Sequence, residues 1–276
     1  MVKLLLTVLA ALVLFHGLLW LLQERLTYFP RRYPFSLDRL PPPIEVLRFD
    51  SAGAQTAFYI PHRGPARDAA AKRVWVVFGG NAMTALDWSD WALRHPDADA
   101  AFLLIEYPGY GASSGSPSQQ SIAAASDAAF AALAARLSEP TERLAQRTLV
   151  LGHSIGAGAG LDFAVRWPVA GVVLTAPFTT IGDMAAKLFG PQVRWLLRDR
   201  YDNLARLAEL TPRGIPVTVL HGTEDEVIPF AFGERLARSA PGVAFVAIER
   251  GHHNDLFDIA APRIRAAMLD VSRVSP

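Results

Sequence analysis

The chain has 276 residues, 51% of them hydrophobic, with Lys+Arg 27 against Asp+Glu 26 and no Cys. That length can bury one sizeable core, the near-balance of charge excludes the basic surplus of a nucleic-acid partner, and the lack of cysteine excludes thiol nucleophiles, disulfides and cysteine-rich metal sites. Any nucleophile must be an oxygen or nitrogen group.

Residues 4–22 form an apolar run broken only by Thr7, His16 and Gly17, about as long as a helix needs to cross a bilayer. A secretory signal would have a shorter apolar region ending in a small-x-small cleavage site, whereas this run closes with Leu18-Leu19-Trp20-Leu21-Leu22 and then Gln23-Glu24-Arg25. The expectation is an uncleaved single-pass anchor over residues 1–25. Lys3 lies on one side of it and Arg25, Arg31, Arg32 and Arg39 on the other, a count that favours a cytoplasmic domain but conflicts with the lysine before the span, so the side of the membrane stays open. Residues 26–43, rich in proline and mixed in charge, read as a linker, and the folded domain is expected over residues 44–276.

Residues 44–49 and 55–60 flank Asp50-Ser51-Ala52-Gly53, the pattern of an antiparallel hairpin at a sheet edge. A loop over residues 61–72 follows. From there strand and helix patterns alternate: strand 74–78, helix 85–94, strand 101–107, helix 118–137, strand 147–151, helix 157–167, strand 171–175, strand 217–221, helix 232–239, strand 243–248 and helix 255–270. Such alternation predicts an α/β fold with a mostly parallel, doubly wound sheet whose ligands bind at the carboxyl ends of its strands. Residues 178–211 break the alternation with helical pattern, Phe189, Trp195 and several arginines, and read as a short helical lid.

Two stretches match G-x-S-x-G. Ser113, in Gly111-Ala112-Ser113-Ser114-Gly115, has a loop on both sides, so nothing would hold it at an apex. Ser154, in Gly152-His153-Ser154-Ile155-Gly156, lies between an apolar strand and a small-residue helix, the setting that lifts a nucleophilic hydroxyl clear of a sheet edge. A serine needs a base for its proton and an acid to hold that base in one tautomer. The loop after strand 217–221 offers Asp225, with Glu224 and Glu226 as alternatives. The loop before the last helix offers His252 and His253, between which the spacing does not choose. Serine, acid, histidine on successive strand-end loops is the order of the α/β-hydrolase fold. Backbone N–H donors for the oxyanion are expected at Ile155 and, in the glycine-rich loop after strand 74–78, at Asn81.

Leu26-Thr27-Tyr28-Phe29-Pro30, Phe78-Gly79-Gly80-Asn81-Ala82, Glu106-Tyr107-Pro108-Gly109-Tyr110-Gly111, Gly152-His153-Ser154-Ile155-Gly156, Asp225-Glu226-Val227-Ile228-Pro229 and Gly251-His252-His253-Asn254-Asp255 together resemble the membrane-anchored α/β-hydrolases of the BEM46 and ABHD13 type, which are grouped with serine aminopeptidase-like hydrolases. The resemblance covers nearly the whole chain. It implies that His253, standing in G-x-H-N-D, is the histidine of the triad. It departs from the family pattern at Gly79, usually histidine, and Glu106, usually aspartate. The expectation is a serine hydrolase of esters or thioesters with Ser154, Asp225 and His253 as triad, needing no cofactor or metal. It would act on a small-molecule, acyl-lipid or acyl-protein substrate and be tied to the membrane by its N-terminal helix, with its oligomeric state left open. An aminopeptidase-like peptidase and a non-catalytic, membrane-tethered binding protein are the alternatives.

Overall fold

The computed structural model describes residues 1–64 and 71–274; part of the loop expected over residues 61–72 therefore lies outside the described residues. Among the described residues, eight strands form one sheet: β1 (Glu45–Asp50), β2 (Ala54–Ile60), β3 (Arg73–Phe78), β4 (Ala100–Ile105), β5 (Thr148–His153), β6 (Gly171–Thr175), β7 (Val217–Gly222) and β8 (Ala244–Ile248), in spatial order β1-β2-β4-β3-β5-β6-β7-β8. The β1–β2 hairpin runs antiparallel at one edge, and every pairing from β4 to β8 is parallel. The central strands are buried from end to end except for Arg73 at the start of β3, as strands covered on both faces require.

The helices are α1 (Val2–Thr27), α2 (Ser89–Leu93), α3 (Gln119–Arg136), α4 (Thr141–Gln146), α5 (Ile155–Arg166), α6 (Ile181–Phe189), α7 (Asn203–Leu210), α8 (Phe230–Arg238), α9 (Leu256–Ile259) and α10 (Ala261–Val274). Residues from α3, α5, α7 and α8 fill one core layer, including Phe130, Leu161, Leu207 and Leu236. Those from the turn Ala85–Trp88, α2, α9 and α10 fill the other, including Trp88, Ala92, Leu256, Ile264 and Met268.

Local chemistry accounts for where the elements begin and end. The Ser118 hydroxyl accepts the Ser121 N–H at 3.0 Å and so caps α3. The helix expected over 85–94 opens as a 3₁₀ turn, Ala85–Trp88, capped by Thr84 and Asp87, before α2 begins. The helix expected over 255–270 is two, because Pro262 has no N–H to continue a helix and is tolerated in the first turn of a new one. Helix α4 has no counterpart among the expected elements.

Two expectations need correction. Residues 26–43, expected as a linker after an anchor over residues 1–25, begin inside the helix and lie against the domain: α1 continues to Thr27, Tyr28 is buried, and Arg32 pairs with Gly111 while its guanidinium donates to the Ser113 carbonyl at 2.6 Å. Of residues 178–211, α6 and the 3₁₀ turn Pro191–Leu196 cover the cleft, whereas α7 packs Leu207 and Leu210 into the core against α5. Its leucines repeat on one side, so packing rather than gating is what their periodicity encodes. Helix α1 is long and apolar enough to span a membrane, and none of its residues is buried.

Candidate active site

The β5–α5 turn places Ser154 at φ 57°, ψ −120°, a conformation that costs an L-residue free energy and persists only where its surroundings enforce it. The enforcement is steric. A Cβ on Gly152 would meet the Gly156 carbonyl oxygen at 2.5 Å, and one on Gly156 would meet the Phe78 carbonyl oxygen at 2.2 Å, so both positions admit only glycine and the turn closes tightly. The Ser154 N–H donates to the Thr175 carbonyl at 3.0 Å, tying the turn to β6.

The structure brings together three of the candidate residues. The Ser154 hydroxyl lies 3.0 Å from Nε2 of His253, and Nδ1 of His253 lies 2.8 Å from Oδ2 of Asp225. The carboxylate accepts the Nδ1–H, which leaves Nε2 as the acceptor of the serine proton. Ser154 and His253 are buried, and the Asp225 side chain is fully so. Burial alone would push the Asp225 carboxyl up. Hydrogen bonds from His221 and His253, the charge of His253 and the Ile228 N–H outweigh it, and hold the group well below the usual carboxylate range.

The rejected candidates lie elsewhere. His252 is half exposed between Glu224 and Glu226, 3.6 and 3.3 Å away, and Glu226 holds its imidazole above the usual histidine range. Ser113 is buried 3.0 Å from the Thr56 N–H, whose hydrogen its hydroxyl accepts, in a structural contact with β2. Of the alternatives at the acid position, Glu226 reaches His252 and the His253 backbone rather than its imidazole.

Two further histidines flank these three residues. Nε2 of His221 lies 3.3 Å from Asp225 Oδ2 and 3.0 Å from the Ile228 carbonyl, so the acid is gripped from two sides. His153 stacks near His253 with ring centroids 5.2 Å apart; burial, then the neighbouring His253, lowers its pKa to about 3, and it stays neutral. His153 sits in the G-x-S-x-G stretch and His221 at the end of the expected strand 217–221, but nothing in spacing marks a histidine that supports rather than acts.

The departures from the family pattern have local explanations. At Gly79 a Cβ would come within 3.0 Å of the Trp88 indole nitrogen, so the tryptophan takes up the room beside it. Glu106 accepts the Ala85 N–H at 3.1 Å and a short hydrogen bond from the Tyr33 hydroxyl. Burial pushes its carboxyl up to about 7.

Ser154, Ile155 and Asn81 line one cavity of about 380 Å³, at the small end of the usual range for ligand sites. Phe178, Ile181, Met184, Leu188, Phe189 and Val193 supply much of its apolar wall, and among the described residues no charged side chain lines it. Leu19, Gln23 and Leu26 of α1 line it too. Their spacing of four and three is one helix face, yet inside an all-apolar run no contrast distinguishes that face from the others.

No family model matches the chain. Over 242 residues it is 31% identical to the uncharacterized protein Rv2307c of Mycobacterium tuberculosis, an alignment that takes in 86% of this chain and 82% of that one. It is 35% identical over 152 residues to the alpha/beta hydrolase domain-containing protein 17B of Xenopus laevis, covering 55% of this chain and 49% of that protein, so it spans about half of that relative's length. Its fold is similar to that of the esterase RhEst1 from Rhodococcus sp. ECU1013, with TM-score 0.61 and 17% identity over 84% of this chain and 99% of that one. With this sheet order and this structural likeness, the chain has the α/β-hydrolase fold.

Proposed function

We propose that the protein is a serine hydrolase that cleaves esters or thioesters of apolar acyl groups. The observation that carries the reading is the unbroken contact series from Ser154 through His253 to Asp225 at the floor of an uncharged cleft. Ser154 Oγ attacks the acyl carbonyl while His253 takes its proton; the oxyanion is held by the Ile155 and Asn81 N–H groups; the alcohol or thiol leaves with the proton from His253. Water, deprotonated by His253, then attacks the acyl-serine and releases the acid, restoring the serine. The neutral His153 beside His253 adds no competing charge.

An aminopeptidase would need a carboxylate to receive the substrate's free amine, and among the cleft-lining residues there is none. The branch of the family that the motifs resemble, the BEM46 and ABHD13 type, is part of the proposal, as is attachment to the membrane through α1. The test is labelling of the full chain by a fluorophosphonate, followed by a panel of acyl esters and thioesters against aminoacyl amides. Labelling that requires Ser154, with turnover of esters or thioesters and not amides, is expected. Equal labelling of wild type and Ser154→Ala would overturn catalysis, and preferred amide turnover would overturn the substrate class.

A further inference from the structure

The anchor helix is a wall of the cleft. Leu19, Gln23, Leu26 and Thr27 line the cavity that holds Ser154, and the end of α1 is gripped from two directions. From the lid side, the Arg198 N–H donates to Oε1 of Gln23 at 2.7 Å, its guanidinium reaches Glu24 at 3.2 Å, and its Cζ stands 3.9 Å from the centre of the Trp20 ring. From the glycine-rich loop, the Asn81 side chain donates to the Thr27 carbonyl at 2.6 Å and accepts the Phe29 N–H at 2.9 Å. Asn81, which lines the cleft, thus clasps the end of the helix with its side chain.

The mouth of the cleft is apolar on the outside as well. Leu188 is 67% exposed and Trp195 85%, and Phe29, Phe189 and Val227 are also exposed at the rim. Lys187, Arg194, Arg198 and Arg200 belong to the same stretch of chain, Arg194 paired with Asp183 and Arg198 with Glu24. Apolar side chains fringed by basic ones are the composition of a surface that rests in a lipid headgroup layer. Water would expel such a patch, whereas a bilayer around the adjoining apolar run of α1 would receive it.

We propose that the cleft opens onto the bilayer beside the anchor, and that its substrate is a neutral, single-chain acyl ester that passes from the membrane between α1 and α6 to Ser154. Neutrality follows from the uncharged lining, a single chain from the modest cavity, and membrane entry from the helix that forms the wall. The inference rests on the serine-hydrolase reading.

The experiment uses the full chain in phosphatidylcholine vesicles containing monooleoylglycerol, with p-nitrophenyl acetate as a water-soluble ester and an S-palmitoylated peptide as a competing substrate. Wild type is expected to favour the monooleoylglycerol over both. In Leu19→Ser/Leu26→Ser the ratio of kcat/KM for monooleoylglycerol to that for the acetate is expected to fall about ten-fold or more, because two apolar contacts to the chain are lost. Leu12→Ser, on α1 but away from the cleft, controls for insertion and is expected to keep the wild-type ratio. An unchanged ratio in the double variant, an equal fall in Leu12→Ser, or preference for the palmitoylated peptide overturns the inference. Absence of Ser154-dependent labelling in wild type would instead overturn the hydrolase reading beneath it.

Discussion

The two sides of the cleft are built differently. On the sheet side, Ser154, Asp225 and His253 stand on turns that follow β5, β7 and β8, with buried side chains and backbone held by the sheet ladders. On the other side, α1 and α6 are held by exposed side-chain contacts such as Arg198 with Glu24 and Arg194 with Asp183. Exposed pairs contribute at most about 1 kcal/mol each, while buried packing and paired buried groups cost several when broken. The contrast is a division of labour: the side that carries Ser154, Asp225 and His253 is bonded through the core, and the side that would admit a chain under the proposed function is held largely by exposed contacts.

The sharpest test of the sheet side is removal of its proposed nucleophile or base. Ser154→Ala and His253→Ala are each expected to lower kcat by about 10⁶-fold, the scale for triad members that act as a unit, whereas His252→Ala leaves kcat/KM within experimental scatter. Steady-state kinetics on one ester checks all three. Asp225→Asn comes next, with about 10⁴-fold lost from kcat, because the amide no longer imposes the Nδ1–H tautomer on His253.

Glu106 tests how strongly the core itself is held. Its carboxyl is raised from 4.5 to about 7 in the folded chain, chiefly by burial, with Asp87 adding to the rise and Tyr33, the Ala85 N–H and Arg32 opposing it. The folded state therefore binds a proton that the unfolded state has already released, and its stability declines as pH rises from about 4.5 through about 7, by ~3 kcal/mol at most. Glu106→Gln removes that decline. Denaturation of both proteins at pH 5 and pH 8 should give a difference that shifts in favour of the glutamine variant at the higher pH.

The smallest expected effect belongs to the weak side. Arg198→Ala breaks an exposed ion pair and a cation–π contact, together worth about 1–2 kcal/mol. The sheet is untouched, so the expected readout is faster amide exchange in residues 19–27 and in α6, with the core amides unchanged. Core amides that loosen equally would erase the distinction between the two sides.

The same division governs what the sequence makes legible. The β3 to β8 alternation, the G-x-S-x-G turn and the order of acid and histidine are local patterns, imposed by strand burial and by turns too tight for a Cβ, so they appear in short windows. Asp225 could be preferred over its neighbours, but the choice of His253 needed the family pattern, since adjacent histidines differ only in which way the backbone turns them. The docking of Leu19 and Leu26, the clasp of Asn81 on Thr27 and the pairing of Tyr33 with Glu106 join residues far apart in the chain. Contacts of that kind leave no periodicity. The core role of α7 was hidden for another reason: a leucine stripe looks alike under a lid and against a sheet.

Gly156 comes so near the Phe78 and Gly79 carbonyls that no side chain fits between them. The head of α5 and the end of β3 are thereby welded into one rigid piece, which carries both the serine and the loop that contains Asn81. Substitutions in α6 or along the cleft face of α1 can therefore reshape the cleft without realigning that piece. Under the proposed function, acyl preference is then tunable separately from the geometry around Ser154.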